Sequence, residues 1–376
     1  MKTPVHDFTH SYALAKGDAD LHHQLSICFN TSALSLPDKT PLVATTVDIM
    51  TYVIQQARSM YAAQPDRLVA AISASSQKNA LAVWSGSGRD WIIFSEGLMG
   101  LLRDQMGSVE KRFLDMFPEL LNTRLMQRLL AQTPLSGGFK TPLSSFLYFS
   151  AVVFLTGHEA GHHLAGHESQ YPRRAHAEDL EGDSIDVNGD RIVAQALERD
   201  ADLIGLRLCR MAVSHLLCKL WEVEEAEALS PDELRDFQRV LAALISTGAL
   251  SVAVFIKPRT ISWEGQFKAL HPPAVARILT LALSISLAIK VNFAHLDTFY
   301  RRWIRVMALE VAVGASIVPG SDAERVEQER IARGGEPAAI RATGIRKALH
   351  DPTFRKYMTR LEVTIKEIRP RLNPRM

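Results

Sequence analysis

Cysteine is scarce in this sequence, and neither sign of charge dominates. The three cysteines, Cys28, Cys209 and Cys218, are too few for the disulfide framework of a small secreted protein. Lysine and arginine number 43 against 41 acidic residues, a net charge of +2, which gives no electrostatic reason to expect nucleic acid as a partner. The first residues lack the apolar segment of a secretory signal. These features predict a cytoplasmic protein without disulfides.

Long apolar runs are also missing. The most apolar stretches lie within residues 240–256 and 278–294, and both contain small polar residues. A helix needs about 20 predominantly apolar residues to cross a bilayer. We therefore expect buried core helices and no membrane partner, with two short membrane spans as the less favoured alternative.

The pattern of residues predicts an α+β fold that is mostly helical. Residues 1–40 are expected to form a polar, irregular arm, and residues 41–318 the main domain. Three short segments rich in β-formers, within residues 67–95, predict a small antiparallel sheet. Strong helix starts follow, with Thr141 capping a helix at Pro142 and Ser230 forming a capping box with Glu233.

The last part of the chain, residues 319–376, has few apolar residues and ends in a basic sequence. A solvated helical extension is the favoured interpretation, and a docking surface for an acidic partner remains an alternative.

Residues 154–170, FLTGHEAGHHLAGHESQ, contain four histidines and two glutamates at the end of a predicted core helix spanning residues 142–166. His158 and His162 are four residues apart, so their side chains emerge on the same helix face, as two ligands of one zinc ion require. Glu159 can reach a water at an open coordination position without binding the metal, which suits a general base. His163, His176, His22 and His23 are expected at the surface.

A zinc site that binds water needs a third protein ligand. The histidine-rich metzincin pattern is excluded because Ala165 and Glu168 stand where it requires glycine and histidine. A second predicted helix, residues 191–226, carries Glu198 and Asp202 four residues apart on one face. Glu198 would complete a site of two histidines and one glutamate. Asp202 would accept the N–H of a ligating histidine, although an ordinary surface position is the simpler alternative.

The combination of HEAGH with ERDAD, which begins at Glu198, resembles the HExxH…ExxAD arrangement of the gluzincin metallopeptidases. The similarity extends to the CAAX prenyl protease and heat-shock protease group and to the phage-exclusion Lit peptidases. His167, five residues after His162, also fits this group, as do WIIFSEGL before the motif helix and the segment HPP at residues 271–273, followed by Arg277.

The resemblance implies a zincin-like domain with zinc bound by His158, His162 and Glu198, with Glu159 as base and Asp202 as supporting acid. His271 would either face the cleft, as a catalytic residue at the substrate, or cap the helix that starts at Pro272. The expected function is hydrolysis of peptide bonds in an intracellular protein, with an extended substrate pairing with an edge of the sheet. An activator or inhibitor is not identified by the sequence. The alternative is a non-catalytic regulatory or partner-binding protein with a structural zinc site.

Overall fold

The structure of the protein is a computed structural model that describes residues 7–61, 64–170, 175–177, 191–255, 281, 352–372 and 374. Helices dominate this part of the chain, and a small sheet accompanies them, as the α+β prediction requires. The helices are α1 Phe8–Lys16, α2 Ala19–Phe29, α3 Pro41–Arg58, α4 Glu96–Met116, α5 Arg124–Leu130, α6 Pro142–Leu164, α7 Arg191–Trp221, α8 Pro231–Phe255 and α9 Pro352–Ile368. The strands are β1 Leu68–Ser73, β2 Ala80–Trp84, β3 Asp90–Ser95 and β4 Ala175–Ala177.

The sheet is mixed, so the prediction of an antiparallel sheet is wrong. Its strand order is β1-β3-β2-β4, with β1 parallel to β3 and the other two pairs antiparallel. The connection from β1 to β2 passes over the end of β3, where the Ser95 hydroxyl donates to the Gln77 carbonyl and the Gly97 amide donates to the Ser75 carbonyl. Strand β3 therefore lies between two strands that are consecutive in sequence.

Both faces of β1, β2 and β3 are buried. This explains why their sequences are continuously apolar instead of alternating with polar residues. Helices α1 and α2 cover one face, where the core is formed by Ala15, Leu21, Leu25, Phe29, Val69, Ala71, Leu81, Val83, Trp91 and Ile93. Helix α6 packs against β2 and β3.

The irregular arm predicted for residues 1–40 is wrong for residues 8–29, which form the two helices over the sheet. Asp7 and Asp18 cap these helices with their carboxylates. Leu21, Leu25 and Phe29 are spaced four residues from one another, which places all three on the buried face of α2. The N-terminal region is therefore part of the core.

Helix α8 contains most of the apolar stretch at residues 240–256. Every residue from 240 to 252 is buried, and the hydroxyls of Ser246 and Ser251 donate to carbonyls one turn earlier in the helix. The prediction of a buried core helix is confirmed for this segment. Among the helices that the structure describes, none is long and apolar enough to cross a bilayer. The second stretch, residues 278–294, lies outside the described residues except for Leu281.

Contacts group the described residues into two compact units. The first holds residues 7–61, 64–170, 175–177, 200–252, 372 and 374, and the second holds residues 191–199, 253–255, 281 and 352–371. Within the second unit, α9 packs on the start of α7, where Leu361 contacts Ile192 and Ala196. The predicted helical extension is present at residues 352–368, but its buried side chains show that this helix is packed and not simply solvated.

Candidate metal centre

The metal motif lies at the end of α6, whose start is fixed by local sequence. The Thr141 hydroxyl accepts the Ser144 amide proton, the Ser144 hydroxyl accepts the Thr141 amide proton, and Pro142 occupies the first turn. All three features satisfy or remove donors that a helix start leaves unbonded. The prediction of a Thr141 cap is confirmed, and the helix continues unbroken to Leu164.

His158 and His162 stack along one face of α6. Their rings lie edge to face with centroids 4.9 Å apart, and their Nε2 atoms are separated by 3.2 Å. Two nitrogens that share a tetrahedral zinc ion at bonds of about 2.0–2.1 Å lie about 3.3 Å apart. The separation of the two nitrogens therefore suits binding of a single ion.

Glu198 on α7 completes the predicted ligand set. One ligand atom from each of His158, His162 and Glu198 lies within 4.8 Å of the others, and the three side chains are fully buried. Burying a carboxylate is costly unless a cation or hydrogen bonds compensate its charge. Two imidazoles and one carboxylate are the donor set of catalytic zinc sites that keep a position for water. The residues therefore fit a zinc ion.

Glu159 directly follows the first histidine of the cluster, and it is also fully buried. Successive residues on a helix are rotated by about 100° from one another, so Glu159 does not share the face of His158 and His162. Its carboxylate is absent from the group of ligand atoms within 4.8 Å of one another. This is the position that the sequence predicts for a base that does not bind the metal.

Asp202 lies one turn after Glu198 on α7, and its Oδ1 is 2.8 Å from Nδ1 of His158. A carboxylate oxygen accepts hydrogen bonds, so this contact favours the His158 tautomer that carries its proton on Nδ1. Nε2 of His158 then carries a lone pair toward the cluster. Asp202 is buried, so the alternative of a surface position is wrong.

Small residues allow α6 and α7 to approach closely enough for these contacts. A Cβ atom on Gly161 would lie 2.9 Å from the Ala201 carbonyl oxygen. A Cβ atom on Gly205 would lie 2.9 Å from the backbone nitrogen of His158. Backbone atoms cannot yield as a flexible side chain can. Glycine at these positions therefore sets the distance between the helices that carry the motif.

His163 is buried, so its predicted surface position is wrong. Its Nε2 lies 3.0 Å from the Trp91 carbonyl oxygen on β3, and its ring contacts Trp84 on β2. Burial lowers the pKa of His163 to about 3, which keeps the ring neutral and able to donate to the Trp91 carbonyl. This histidine attaches the motif helix to the sheet.

Two further residues reach the cluster, and sequence reasoning did not assign either a role. Nδ1 of His167 lies 2.9 Å from Nδ1 of His162, and Nε2 of His167 lies 3.3 Å from Oδ2 of Asp200. All three side chains are buried. The available signal was the spacing of His167 from His162 together with the extra aspartate in ERDAD. His271 lies outside the described residues, so its predicted role stays a prediction, and Arg277 also lies outside them.

Comparison with protein-family models, with curated proteins and with solved structures finds no match to this chain.

Proposed function

We propose that this protein is a zinc-dependent endopeptidase of the gluzincin type. The observation that carries the proposal is the buried cluster of His158, His162 and Glu198, with ligand atoms within 4.8 Å of one another and Glu159 beside it on α6. A bound zinc ion supplies Lewis-acid polarisation of a carbonyl and lowers the pKa of a coordinated water to about 7.

Three further residues have separate roles in the proposed reaction. Asp202 holds the ring proton of His158 on Nδ1 and so keeps Nε2 directed at the cluster. Glu159 accepts a proton from the attacking water and returns it to the leaving amine, as a general base and then a general acid. His163 fixes the motif helix against β3 through the Trp91 carbonyl.

The substrate that we propose is an extended segment of an intracellular protein, consistent with the resemblance to the Lit peptidases. Such a segment binds by main-chain hydrogen bonds when it adds to a sheet edge. Strands β1 and β4 are the edge strands of the described sheet. Residues 33–35 already bond to the end of β1, through the Ser35 amide and the Ala33 carbonyl. The Arg58 guanidinium donates to the Leu68 carbonyl at the other end of β1, and the residues between are buried. We therefore propose the outer side of β4 as the docking position to be tested.

The experiment compares the wild-type protein with Glu159→Gln in a proteolysis assay on a host lysate, with metal content measured on the same samples. The amide cannot act as a base, so we expect retained metal and loss of cleavage by at least a hundredfold. Glu168→Gln, an exposed change shortly after the motif, is the matched control and should leave cleavage intact. Equal cleavage by wild type and Glu159→Gln would overturn the proposal.

A structural metal site is the second candidate function, and one observation favours it. His158, Glu159, His162 and Glu198 are all fully buried, whereas a hydrolytic site must admit water and substrate. In that case removal of the metal would unfold the protein and no cleavage would depend on Glu159. Circular dichroism of the metal-free protein, measured beside the proteolysis assay, separates the two functions.

A further inference from the structure

His162, His167 and Asp200 form a continuous line of buried polar side chains behind the metal cluster. The ring nitrogens of the two histidines are 2.9 Å apart at their Nδ1 atoms, and His167 reaches Asp200 through its other nitrogen at 3.3 Å. His167 and Asp200 come from different elements, the 3₁₀ turn His167–Gln170 and helix α7. Neither belongs to the three candidate ligands.

The carboxylate at one end determines where each proton lies. Asp200 can only accept, so neutral His167 donates its proton from Nε2 and carries a lone pair on Nδ1. The hydrogen bond at 2.9 Å then requires a proton on Nδ1 of His162. Nε2 of His162 is left with a lone pair, which is the form of imidazole that binds a metal.

The other histidine of the motif, His158, is held by a similar hydrogen bond. Asp202 places the ring proton of His158 on Nδ1, and the lone pair of its Nε2 faces that of His162 at 3.2 Å. Two lone pairs at this distance repel each other unless a cation lies between them. The hydrogen bonds made by the two Nδ1 atoms therefore leave the Nε2 atoms of both histidines free of protons and able to bind one ion.

We propose that His167 and Asp200 are positioning residues that hold His162 in its metal-binding tautomer, an inference that rests on the metal site of the proposed function. His158 contacts an aspartate directly, whereas His162 contacts His167, which in turn contacts Asp200. Such partners of metal-binding histidines typically change metal affinity ten- to a hundredfold when they are removed.

A tight turn after helix α6 places His167 beside the end of that helix. Helix α6 ends at Leu164, and Gly166 adopts a left-handed conformation with φ of 70°. Glycine adopts this conformation without the steric cost that a side chain would add. The Gly166 amide donates to the His163 carbonyl, so the turn closes on the end of the helix. His167 follows immediately and lies beside His162.

The test measures zinc affinity by chelator competition and, in the metal-free protein labelled with ¹⁵N at histidine, the protonation of each ring nitrogen of His162. The variants are His167→Leu, which removes the acceptor, His167→Gln, whose side-chain oxygen can accept from His162, and Asp200→Asn, whose amide can donate to His167 and reverse the direction of the line. We expect zinc to bind ten- to a hundredfold more weakly in His167→Leu and Asp200→Asn, and His167→Gln to recover part of the loss. The proton of His162 should lie on Nδ1 in the wild type and move to Nε2 in Asp200→Asn.

A simple structural role would give a different result. If the substitutions only disturbed folding, zinc affinity would fall equally in His167→Leu and His167→Gln. The proton of His162 would then stay on the same nitrogen in Asp200→Asn. Unchanged zinc affinity in His167→Leu and Asp200→Asn, with His162 protonated as in the wild type, would overturn the inference. If wild type binds zinc without cleaving any substrate, the peptidase proposal fails. The zinc affinities of the variants still test the positioning role of His167 and Asp200. If wild type binds no zinc, the metal site on which both proposals rest is absent, and both proposals fail.

Discussion

Nδ1 of His158 lies 2.8 Å from Oδ1 of Asp202, and this contact joins the motif helix α6 to the helix that supplies the third candidate ligand. Removing the carboxylate in Asp202→Ala releases the ring from its fixed tautomer. We expect zinc affinity, measured by chelator competition, to fall ten- to a hundredfold. Asp232→Ala, an exposed aspartate at the start of α8, should bind zinc as the wild type does. Equal affinities for the two variants would show that Asp202 does not support His158.

The close crossing of α6 and α7 predicts that a single methyl group damages the site. In Gly205→Ala the new Cβ would lie 2.9 Å from the backbone nitrogen of His158, so the helices must separate. Overpacking of this kind costs about 1–3 kcal/mol in unfolding free energy, and we expect weaker zinc binding as well.

Gly107→Ala on α4 is the matched control, because nothing lies within 4 Å of its Cβ position. Alanine is favoured over glycine within a helix by about 0.5–1 kcal/mol, so this variant should be slightly more stable than the wild type. Urea unfolding of both variants provides the measurement. A Gly205→Ala protein as stable as Gly107→Ala would contradict the proposed close contact.

Asp18 predicts a dependence of stability on pH outside the metal site. Burial alone would raise the pKa of this carboxyl, but hydrogen bonds from Ser87, from the Leu21 amide, from Ser85 and from Trp91 outweigh burial and lower the pKa. The ionised group therefore stabilises the fold at pH values above its unfolded pKa of about 3.9, and this contribution is lost as pH falls through the lower folded pKa.

Asp18→Asn should accordingly destabilise the protein at pH 7 and lose most of this effect at strongly acidic pH. Breaking several bonds to a buried carboxylate costs on the order of 3 kcal/mol. The check is the difference in unfolding free energy between variant and wild type across the pH range. Asp115→Asn, at an exposed position on α4, should show a difference near zero throughout. A deficit for Asp18→Asn that does not shrink in acid would contradict the role of its charge.

From the contacts of helix α9 we expect the C-terminal region to support the turn of α7 that carries Glu198. The Tyr357 hydroxyl donates to Oε1 of Gln195 at 2.6 Å, and Arg199 pairs with Glu362 at 3.0 Å. Gln195 and Arg199 flank Glu198 on α7. Tyr357→Phe removes one bond and should cost about 1 kcal/mol of stability and weaken zinc binding measurably. Glu367→Gln, exposed on the same helix, should change neither stability nor zinc affinity. A Tyr357→Phe variant with normal zinc affinity would show that this contact of α9 does not support zinc binding.

Local patterns in the sequence were sufficient for the candidate ligands. The four-residue spacing of His158 and His162, and of Glu198 and Asp202, specifies a shared helix face wherever a helix forms. Burial of a carboxylate on an apolar helix then called for a cation or another partner, and the structure places Glu198 beside both histidines. The helix caps at Thr141 and Ser230 were predictable for the same reason, because each involves residues only a few positions apart.

Other features that depend on distant residues have no comparable local signal and were not predictable. The parallel pairing of β1 with β3 follows from the path of a connection held by Ser95, which the β-formers themselves do not specify. His163 was assigned to the surface because nothing near it in sequence indicates the Trp91 carbonyl, 72 residues earlier in the chain. The role of His167 depends on Asp200, which is 33 residues away.

His158, His162 and Glu198 are proposed to bind one zinc ion together. The most direct test of this site is the metal content of the purified wild-type protein beside His162→Ala and Glu198→Ala, each prepared without chelators. We predict about one zinc per chain in the wild type and near-complete loss in both variants, because a site of this kind has only three protein ligands. A wild type without zinc, or variants that retain as much zinc as the wild type, would contradict the proposed metal site.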